Sequence, residues 1–237
     1  MKPARIVITG MAVLAACGLL GMVSPAVQAS SVLAVTWTRQ FPAASPPARV
    51  GASMAYDAAT RSVVLFGGGR GLTGTSSATW TWDGSTWAEQ HPATHPPAGS
   101  FASMAYDAAT RSVVLWGGDL ADGADLTSTW TWNGSTWTKQ HPATHPSGRS
   151  DASMAYDAAT GNIVLFGGVN FGGPSGHVQY LADTWTWNGS TWTKQSPATH
   201  PTARYSASMA YDAATHSVVL FGGFHPKHGL DSTWTWG

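Results

Sequence analysis

The sequence predicts an all-β fold built from four copies of one four-stranded unit, and three observations support this prediction. The nonapeptide ASMAYDAAT occurs four times without change, at 52–60, 102–110, 152–160 and 207–215. A period near fifty residues is typical of repeat proteins in which each repeat is one small structural unit. Short β-type segments alternate with turn residues inside every unit, and the two ends of the chain complement each other.

Each unit divides into four predicted strands. ASMAYD is the first and SVVLFGG the second, and Asp57-Ala58-Ala59-Thr60 makes the hairpin turn between them. A variable loop leads to TWTWD, the third strand. The dipeptides Asp83-Gly84, Asn133-Gly134 and Asn188-Gly189 then turn the chain into the fourth strand, STWAEQ or STWTKQ, because such pairs favour tight hairpins. A Pro-rich stretch such as HPATHP joins one unit to the next.

The recurring tryptophans predict how the units pack. In TWTW the two indoles lie on one side of the strand and the hydroxyls on the other, since side chains alternate along a strand. A small sheet with a Trp-rich face is stable only when that face is covered by another sheet. We therefore expect blade-to-blade contacts, and not sugar-stacking surfaces, for the tryptophans Trp82, Trp87, Trp132, Trp137, Trp187 and Trp192.

The two ends of the chain predict that the sheets form a ring. The last unit stops after a third strand at STWTWG, and TWTRQFPAASPPAR (36–49) aligns with TWAEQHPATHPPAG (86–99) as an orphan fourth strand. An N-terminal strand that closes the last blade gives a complete four-bladed β-propeller without an open edge. An eight-bladed homodimer or an open assembly is the alternative. The expected repeat units are 52–101, 102–151, 152–206, and 207–237 together with 36–51.

The first 29 residues are predicted to be a secretory signal peptide. MKPAR carries positive charge, 6–23 is an apolar run, and Val27 and Ala29 occupy the positions that a signal peptidase recognises. The mature propeller then spans 30–237 and is extracellular. The alternative is lipoprotein processing at Cys17, within Leu14-Ala15-Ala16-Cys17, which would anchor the chain at a cell surface. A retained anchor helix is less favoured because the run is short for a span.

Composition narrows the classes of partner. Twelve Lys and Arg balance twelve Asp and Glu, so no basic surface for nucleic acid is expected. Cys17 is the only cysteine, and cleavage after Ala29 leaves a secreted chain with no disulfide. A chain rich in Ala and Gly and poor in Lys and Ile favours a bacterial source.

The motifs resemble the kelch repeat. VVLFGG (63–68), VVLWGG (113–118), IVLFGG (163–168) and VVLFGG (218–223) match its hydrophobic strand and glycine pair, and the spaced tryptophans match the rest, with Trp in place of the more usual Tyr. The resemblance covers 36–237 and implies a β-propeller similar to the central domain of galactose oxidase, although four blades are fewer than the six or seven expected. The glycines of the pairs are expected to be structural: Gly67, Gly68, Gly117, Gly118, Gly167, Gly168, Gly222 and Gly223.

Propeller topology places all the variable segments on one face, where binding residues usually lie. Arg49, Arg149 and Arg204 recur there, and Gly99 replaces the arginine in the second unit. The alternative is that each arginine only bonds carbonyls of neighbouring blades. The predicted ligand contacts are these three arginines with four further residues of the variable segments: Asp151, His177, Tyr180 and Tyr205.

Metal sites are not favoured, and we expect no cofactor. Two histidine pairs have a helical spacing but lie in Pro-rich extended segments: His91 with His95, and His141 with His145. The acidic loop of Asp119, Asp122 and Asp125 fits no known calcium-loop pattern.

Catalytic constellations are also missing from the sequence. A copper-radical oxidase needs a Tyr–Cys crosslink, which a chain cleaved before Ser30 does not have. In the segment DGSTW, Asp83 directly precedes Gly84, whereas a sialidase Asp-box needs a residue between them, and Glu89 is the only Glu available for acid–base chemistry. The sequence therefore predicts a non-enzymatic module that binds a protein or a glycan. A structural scaffold at a cell surface or wall is the alternative, and a degenerate carbohydrate-active or oxidase-like enzyme is less favoured.

Overall fold

A computed structural model describes residues 36–70, 73–120, 126–171 and 177–237. The predicted signal peptide, Cys17, Asp122 and Asp125 lie outside the described residues. The chain divides into a unit that ends at Arg39 and a unit that spans Gln40–Gly237. In the first unit, residues 36–39 have no regular secondary structure and Trp37 is fully exposed.

All strands lie in the second unit, and the described residues contain no helix, so they contain no helix able to cross a membrane. The strands are β1 (Ser53–Asp57), β2 (Ser62–Phe66), β3 (Gly69–Arg70), β4 (Thr73–Thr75), β5 (Thr79–Trp82), β6 (Trp87–Gln90), β7 (Gly99–Ser100), β8 (Ser103–Asp107), β9 (Ser112–Trp116), β10 (Asp119–Leu120), β11 (Thr129–Trp132), β12 (Trp137–Lys139), β13 (Ser153–Asp157), β14 (Asn162–Phe166), β15 (Val169–Asn170), β16 (Gln179–Tyr180), β17 (Thr184–Trp187), β18 (Trp192–Gln195), β19 (Ser208–Asp212), β20 (Ser217–Phe221), β21 (Phe224–His225), β22 (His228–Gly229) and β23 (Thr233–Trp236).

Four antiparallel sheets are arranged as the blades of a four-bladed β-propeller, which confirms the predicted fold class. Blade 1 has the strand order β1-β2-β5-β6, blade 2 has β8-β9-β11-β12, blade 3 has β13-β14-β17-β18, and blade 4 has β19-β20-β23. The strands within a blade follow the chain, as expected for sheets built from successive hairpins.

The repeated aspartates form the first hairpin turn of each blade. Asp57 Oδ1 accepts hydrogen bonds from the backbone N–H groups of Ala59 (2.9 Å) and Thr60 (3.3 Å), and Asp107 makes the same pair. The residue that follows the turn has a positive φ, 56° at Arg61. The loop between the paired residues Asp57 and Ser62 has four residues and ends in a left-handed one, which is a common hairpin connection, so these aspartates are turn formers as predicted.

Strand register gives every blade two different faces. We call one the Thr face, which in blade 1 comprises Ser53, Ala55, Val64, Phe66, Thr79 and Thr81. We call the other the Trp face, which in blade 1 comprises Met54, Tyr56, Val63, Leu65, Trp80, Trp82 and Trp87. The alternation of TWTW thus separates hydroxyls from indoles, as the sequence predicts.

The Thr faces of blades 1, 2 and 3 each pack against the Trp face of the next blade. Val64 and Phe66 of blade 1 form one hydrophobic cluster with Trp130, Trp132 and Trp137 of blade 2. Equivalent clusters join blade 2 to blade 3 and blade 3 to blade 4. Trp132, Trp137, Trp187 and Trp192 are fully buried, in agreement with the predicted blade-to-blade core, whereas Trp82 and Trp87 of blade 1 are only partly buried.

Hydrogen bonds repeat at these interfaces in register. The Trp137 indole N–H donates to Thr79 Oγ1 at 2.9 Å, and the Trp192 indole N–H donates to Thr129 Oγ1 at 2.8 Å. An indole buried with its N–H paired avoids the penalty of an unmatched donor. On one strand, the threonines therefore supply hydrogen-bond acceptors to the next blade, and the tryptophans supply apolar surface to the preceding blade.

The last blade differs from the prediction, because it has three strands and not four. No segment pairs with the free edge of β23 among the described strands, and 36–42 has no regular secondary structure. The N-terminal segment can close the last blade only if blade 1 lies beside blade 4. Apolar side chains of both blades are exposed, with Met54 of blade 1 57% and Phe221 of blade 4 52% exposed, so the two blades are not in contact there. A cavity of about 80 Å³ lined by Phe166, Thr184 and Trp236 lies where a fourth-strand tryptophan sits in the earlier interfaces.

Candidate functional site

The variable segments lie together at one end of the blades. The segment that leads into each first strand pairs with the loop that follows the second strand of the same blade, through the bridges Val50 to Gly69, Ser150 to Val169 and Tyr205 to Phe224. Each of these loops also forms a short two-stranded piece of its own or with its neighbour, such as β15 with β16 and β21 with β22. The described parts of the variable segments therefore form short two-stranded pieces at this end of the blades.

The repeated turns occupy the other end. A Cβ placed on Gly134 would lie 2.6 Å from Thr60 Cγ2, and one on Gly189 would lie 2.6 Å from Thr110 Cγ2. The Asn-Gly turn of one blade thus touches the Asp-Ala-Ala-Thr turn of the preceding blade. This close contact leaves little room for variation on the repeated face.

The three predicted arginines support the frame of the variable face. Arg149 and Arg204 are buried, with 1% and 2% of their surface exposed, and Arg49 is half-buried. Each guanidinium donates to the carbonyl of the first glycine in the glycine pair of its own blade: Arg49 to Gly67 (2.8 Å), Arg149 to Gly167 (3.0 Å) and Arg204 to Gly222 (2.8 Å). The sequence alternative placed such bonds between blades, whereas the structure places them within one blade. Buried and bonded in this way, Arg149 and Arg204 are poorly placed to meet a ligand.

Arg149 also forms an ion pair with Asp183, at 2.6 Å between Nη1 and Oδ1. Burial alone would raise the pKa of Asp183, but the hydrogen bonds and charge of Arg149, with a hydrogen bond from Trp185, outweigh it and hold the pKa below its ordinary value. Arg204 makes the corresponding contact to the Ser232 hydroxyl at 3.2 Å. The arginine of blade 3 therefore holds the loop between β16 and β17 through a carboxylate. The arginine of blade 4 makes the equivalent contact with a neutral hydroxyl.

A group of aromatic side chains is the most distinctive feature of the variable face. We call Tyr180, Tyr205, Phe224, His225 and His228 the aromatic group. Ring centroids are 5.7 Å apart for Tyr180 and Tyr205, 5.8 Å for Tyr205 and Phe224, 6.1 Å for Tyr180 and His225, and 5.8 Å for the two histidines. Tilted and edge-to-face contacts in this range are favourable between aromatic rings. The rings lie at the junction of blades 3 and 4.

The aromatic group is open to solvent. Phe224 is 41% exposed, His228 is exposed, and the remaining three rings are partly buried. Val178, 45% exposed, lies on the same loop as Tyr180. An exposed apolar and aromatic patch with imidazole and phenol edges has the composition expected of a recognition surface.

The structure brings together two of the seven predicted ligand contacts, Tyr180 and Tyr205. His177 is exposed two residues before β16. Asp151 lies where the chain enters the first strand of blade 3, with a φ of 53°. Burial raises the pKa of Asp151, a hydrogen bond from Ser206 lowers it and the charge of Asp119 raises it further, with a net increase.

Sequence reasoning missed Phe224, His225 and His228. Their loop is FHPKHGLDST, in which an aromatic residue directly follows the glycine pair, and this position holds Gly69, Asp119 and Val169 in the other blades. The departure of Phe224 from the repeat was an available signal. The contact between His225 and Tyr180 could not be found from the sequence, because it depends on the spacing of two blades.

His95 and His145 of the Pro-rich linkers have local partners. Nδ1 of His95 lies 2.8 Å from the Pro96 carbonyl, and His145 makes the same contact with Pro146. His145 also packs against Trp116, with ring centroids 5.7 Å apart. In the part of the chain that the structure describes, no three His, Cys, Asp or Glu side chains are grouped as metal ligands would be.

No family model matches the chain, and no curated protein matches it.

Proposed function

We propose that this protein is a non-enzymatic binding module that recognises a glycan or a protein through the aromatic group on its variable face. The single observation that supports this best is the exposed junction of Tyr180, Tyr205, Phe224 and His225 between blades 3 and 4. Repeated residues build the blades, whereas these rings lie in segments that differ between the repeats. Binding residues on a rigid scaffold usually lie on such non-repeated loops.

The chemistry of the aromatic group favours a neutral ligand with a flat apolar surface. Ring faces offer apolar area at little cost in side-chain entropy, and the imidazole and phenol edges offer hydrogen bonds. A pyranose ring or an aromatic or proline side chain of a protein presents a matching surface.

A non-enzymatic role is supported by where the acidic residues lie. Asp57, Asp107 and Asp157 are fully buried in turns that use their carboxylates as acceptors. Glu89, the only glutamate, is exposed on β6 at the outer edge of blade 1. These four carboxylates lie outside the variable face, on which Asp119 and Asp151 are close enough for the charge of Asp119 to raise the pKa of Asp151.

The kelch resemblance and export belong to the same proposal. The hydrophobic strand, glycine pair and spaced tryptophans support a kelch-type propeller, and the predicted signal segment supports an extracytoplasmic, bacterial surface location. A protein exposed outside the cell would meet glycans and surface proteins as ligands. Lipid anchoring at Cys17 would keep the same binding face at the cell surface.

Single substitutions in the aromatic group test the proposal. The full chain is screened by surface plasmon resonance against immobilised neutral oligosaccharides and against surface proteins of the producing cell. Tyr180→Ala and Phe224→Ala should each weaken the interaction about tenfold or more, because a central aromatic contact contributes more than about 1.4 kcal/mol. Trp37→Ala, which removes an exposed aromatic residue outside the group, is the matched control and should bind normally.

The scaffold alternative makes a different prediction for the same experiment. If neither probe set binds, or if Tyr180→Ala and Phe224→Ala bind as tightly as the parent chain, the aromatic group is not a binding site. A structural role of the propeller at the cell surface would then be favoured.

A further inference from the structure

We propose that the propeller ring is completed by a second copy of the chain, in which blade 1 of each copy packs against blade 4 of the other. The result is a closed ring of eight blades with two-fold symmetry. This inference is independent of the ligand of the aromatic group.

Two blade faces have the composition of an interface but pack against no further blade among the described residues. On the Trp face of blade 1, Met54 and Tyr56 are 57% and 55% exposed, although Met104 and Tyr106 at the same positions in blade 2 are partly buried. On the Thr face of blade 4, Phe221 is 52% exposed, whereas the equivalent residues of the other blades are 3% (Phe66), 0% (Trp116) and 3% (Phe166) exposed. Large apolar side chains in such positions mark interaction surfaces.

These two faces are complementary because they are the two halves of an interface that already occurs three times. Between blades 1 and 2 the ring of Phe66 meets the ring of Trp137 edge-on at 5.5 Å, and between blades 2 and 3 Trp116 meets Trp192 at 5.7 Å. By the same register, Phe221 would meet Trp87 of the second copy. The new interface therefore continues an established one.

The hydrogen bonds of the interface also continue across the new contact. The hydroxyl of Ser103 donates to the Ala152 carbonyl and that of Ser153 to the Ala207 carbonyl, both at 2.7 Å. The next bond in the series runs from Ser208, which is exposed, to the Ala52 carbonyl of the second copy.

Backbone hydrogen bonds near the start of the first strands also link each blade to the next. The N–H of Phe101 donates to Gly51 O (2.7 Å), that of Asp151 to Phe101 O (3.0 Å) and that of Ser206 to Asp151 O (2.9 Å). The next bond would join the N–H of Gly51 in the second copy to Ser206 O. All four of these residues have a φ between 52° and 67°, so the second copy meets a backbone already in the required conformation.

The glycine pairs show where the next blade is expected. A Cβ on Gly67, Gly117 or Gly167 would collide with a carbonyl of the following blade, whereas one on Gly222 would lie 3.4 Å from the nearest such atom, which belongs to its own blade. The space beside Gly222 matches the position of the Arg49 carbonyl of a second copy.

Closure by a second copy explains why both faces stay exposed within one chain. Three successive interfaces of the same kind do not bring blade 4 back to blade 1, so four blades leave a gap. In a dimer with two-fold symmetry, blade 4 of each copy packs on blade 1 of the other, so two identical contacts form. Neither face stays open, as a closed symmetric dimer requires. Eight blades lie within the range that propellers adopt.

Sedimentation equilibrium of the full chain over a range of concentrations tests the proposal. We expect twice the mass of one chain, with no larger species as concentration rises. Phe221→Lys and Tyr56→Lys should each raise the dimer dissociation constant at least tenfold while the circular dichroism spectrum stays unchanged, because both side chains are exposed in the single chain. Val178→Lys, which alters an apolar residue with 45% exposure on the variable face, is the matched control and should remain dimeric.

Three results would overturn the proposal. A monomer at all concentrations would mean that the two faces do not bind a second copy. A mass that grows without limit would mean open chains in place of a closed ring. A dimer that persists in both Phe221→Lys and Tyr56→Lys would place the interface on other surfaces.

Discussion

Gly117→Ala should strongly destabilise the protein. Gly117 has a φ of 72°, a region in which a non-glycine residue costs about 1–2 kcal/mol. A Cβ there would also collide with the carbonyl oxygen of Arg149 in the next blade, which accepts a hydrogen bond from the N–H of Gly118 at 2.8 Å. Loss of that buried bond adds about 1–3 kcal/mol. We therefore expect a loss of about 2–5 kcal/mol in the free energy of unfolding, measured by urea denaturation.

Gly222→Ala is the matched control, because it has the same repeat position and nearly the same φ of 70°. Among the described residues, its Cβ would have no carbonyl of another blade nearby. Measured at concentrations where the chain is monomeric, it should show only the conformational part of the loss. Equal losses for the two substitutions would mean that the carbonyl of the next blade does not require glycine.

Trp137→Ala should have an effect at least as large. The Trp137 side chain is fully buried, packs edge-on against Phe66 of the preceding blade and donates its indole N–H to Thr79 Oγ1. Removal of a buried tryptophan costs about 3–5 kcal/mol through lost apolar contact and the cavity that remains. The loss is measured by thermal and urea unfolding.

Thr138→Ala provides the control for Trp137→Ala, since Thr138 is the next residue on β12 and is exposed. Its effect should lie within about 0.5 kcal/mol of zero. A small effect of Trp137→Ala as well would contradict the packing of blade 2 on blade 1.

The frame of the molecule could be predicted because its signals are local. The turn at Asp57 and the alternation of Thr and Trp depend on a few neighbouring residues, and four copies repeat each signal. The shared face of the variable loops followed from the strand order, and the bridge from Tyr205 to Phe224 confirms it for blade 4.

The ring closure and the binding surface depend on distances between blades, which local patterns do not encode. The segment 36–49 resembles a fourth strand in its residues, yet the structure has three strands in blade 4. Tyr180 and Phe224 come from different repeats and share one aromatic group only because blades 3 and 4 pack together. The sequence placed the recurring arginines among the ligand contacts, but Arg149 binds a carbonyl and a carboxylate of its own blade.

In blades 2, 3 and 4, the tryptophans pack on the threonine face of the preceding blade. Hydrogen exchange of the indole N–H groups, followed by NMR with ¹⁵N-labelled tryptophan, tests this most directly. The indoles of Trp137 and Trp192, which are buried and bonded to Thr79 and Thr129, should exchange more slowly than that of the fully exposed Trp37 by about two orders of magnitude or more. Exchange of all three at the same rate would contradict the packing of the blades.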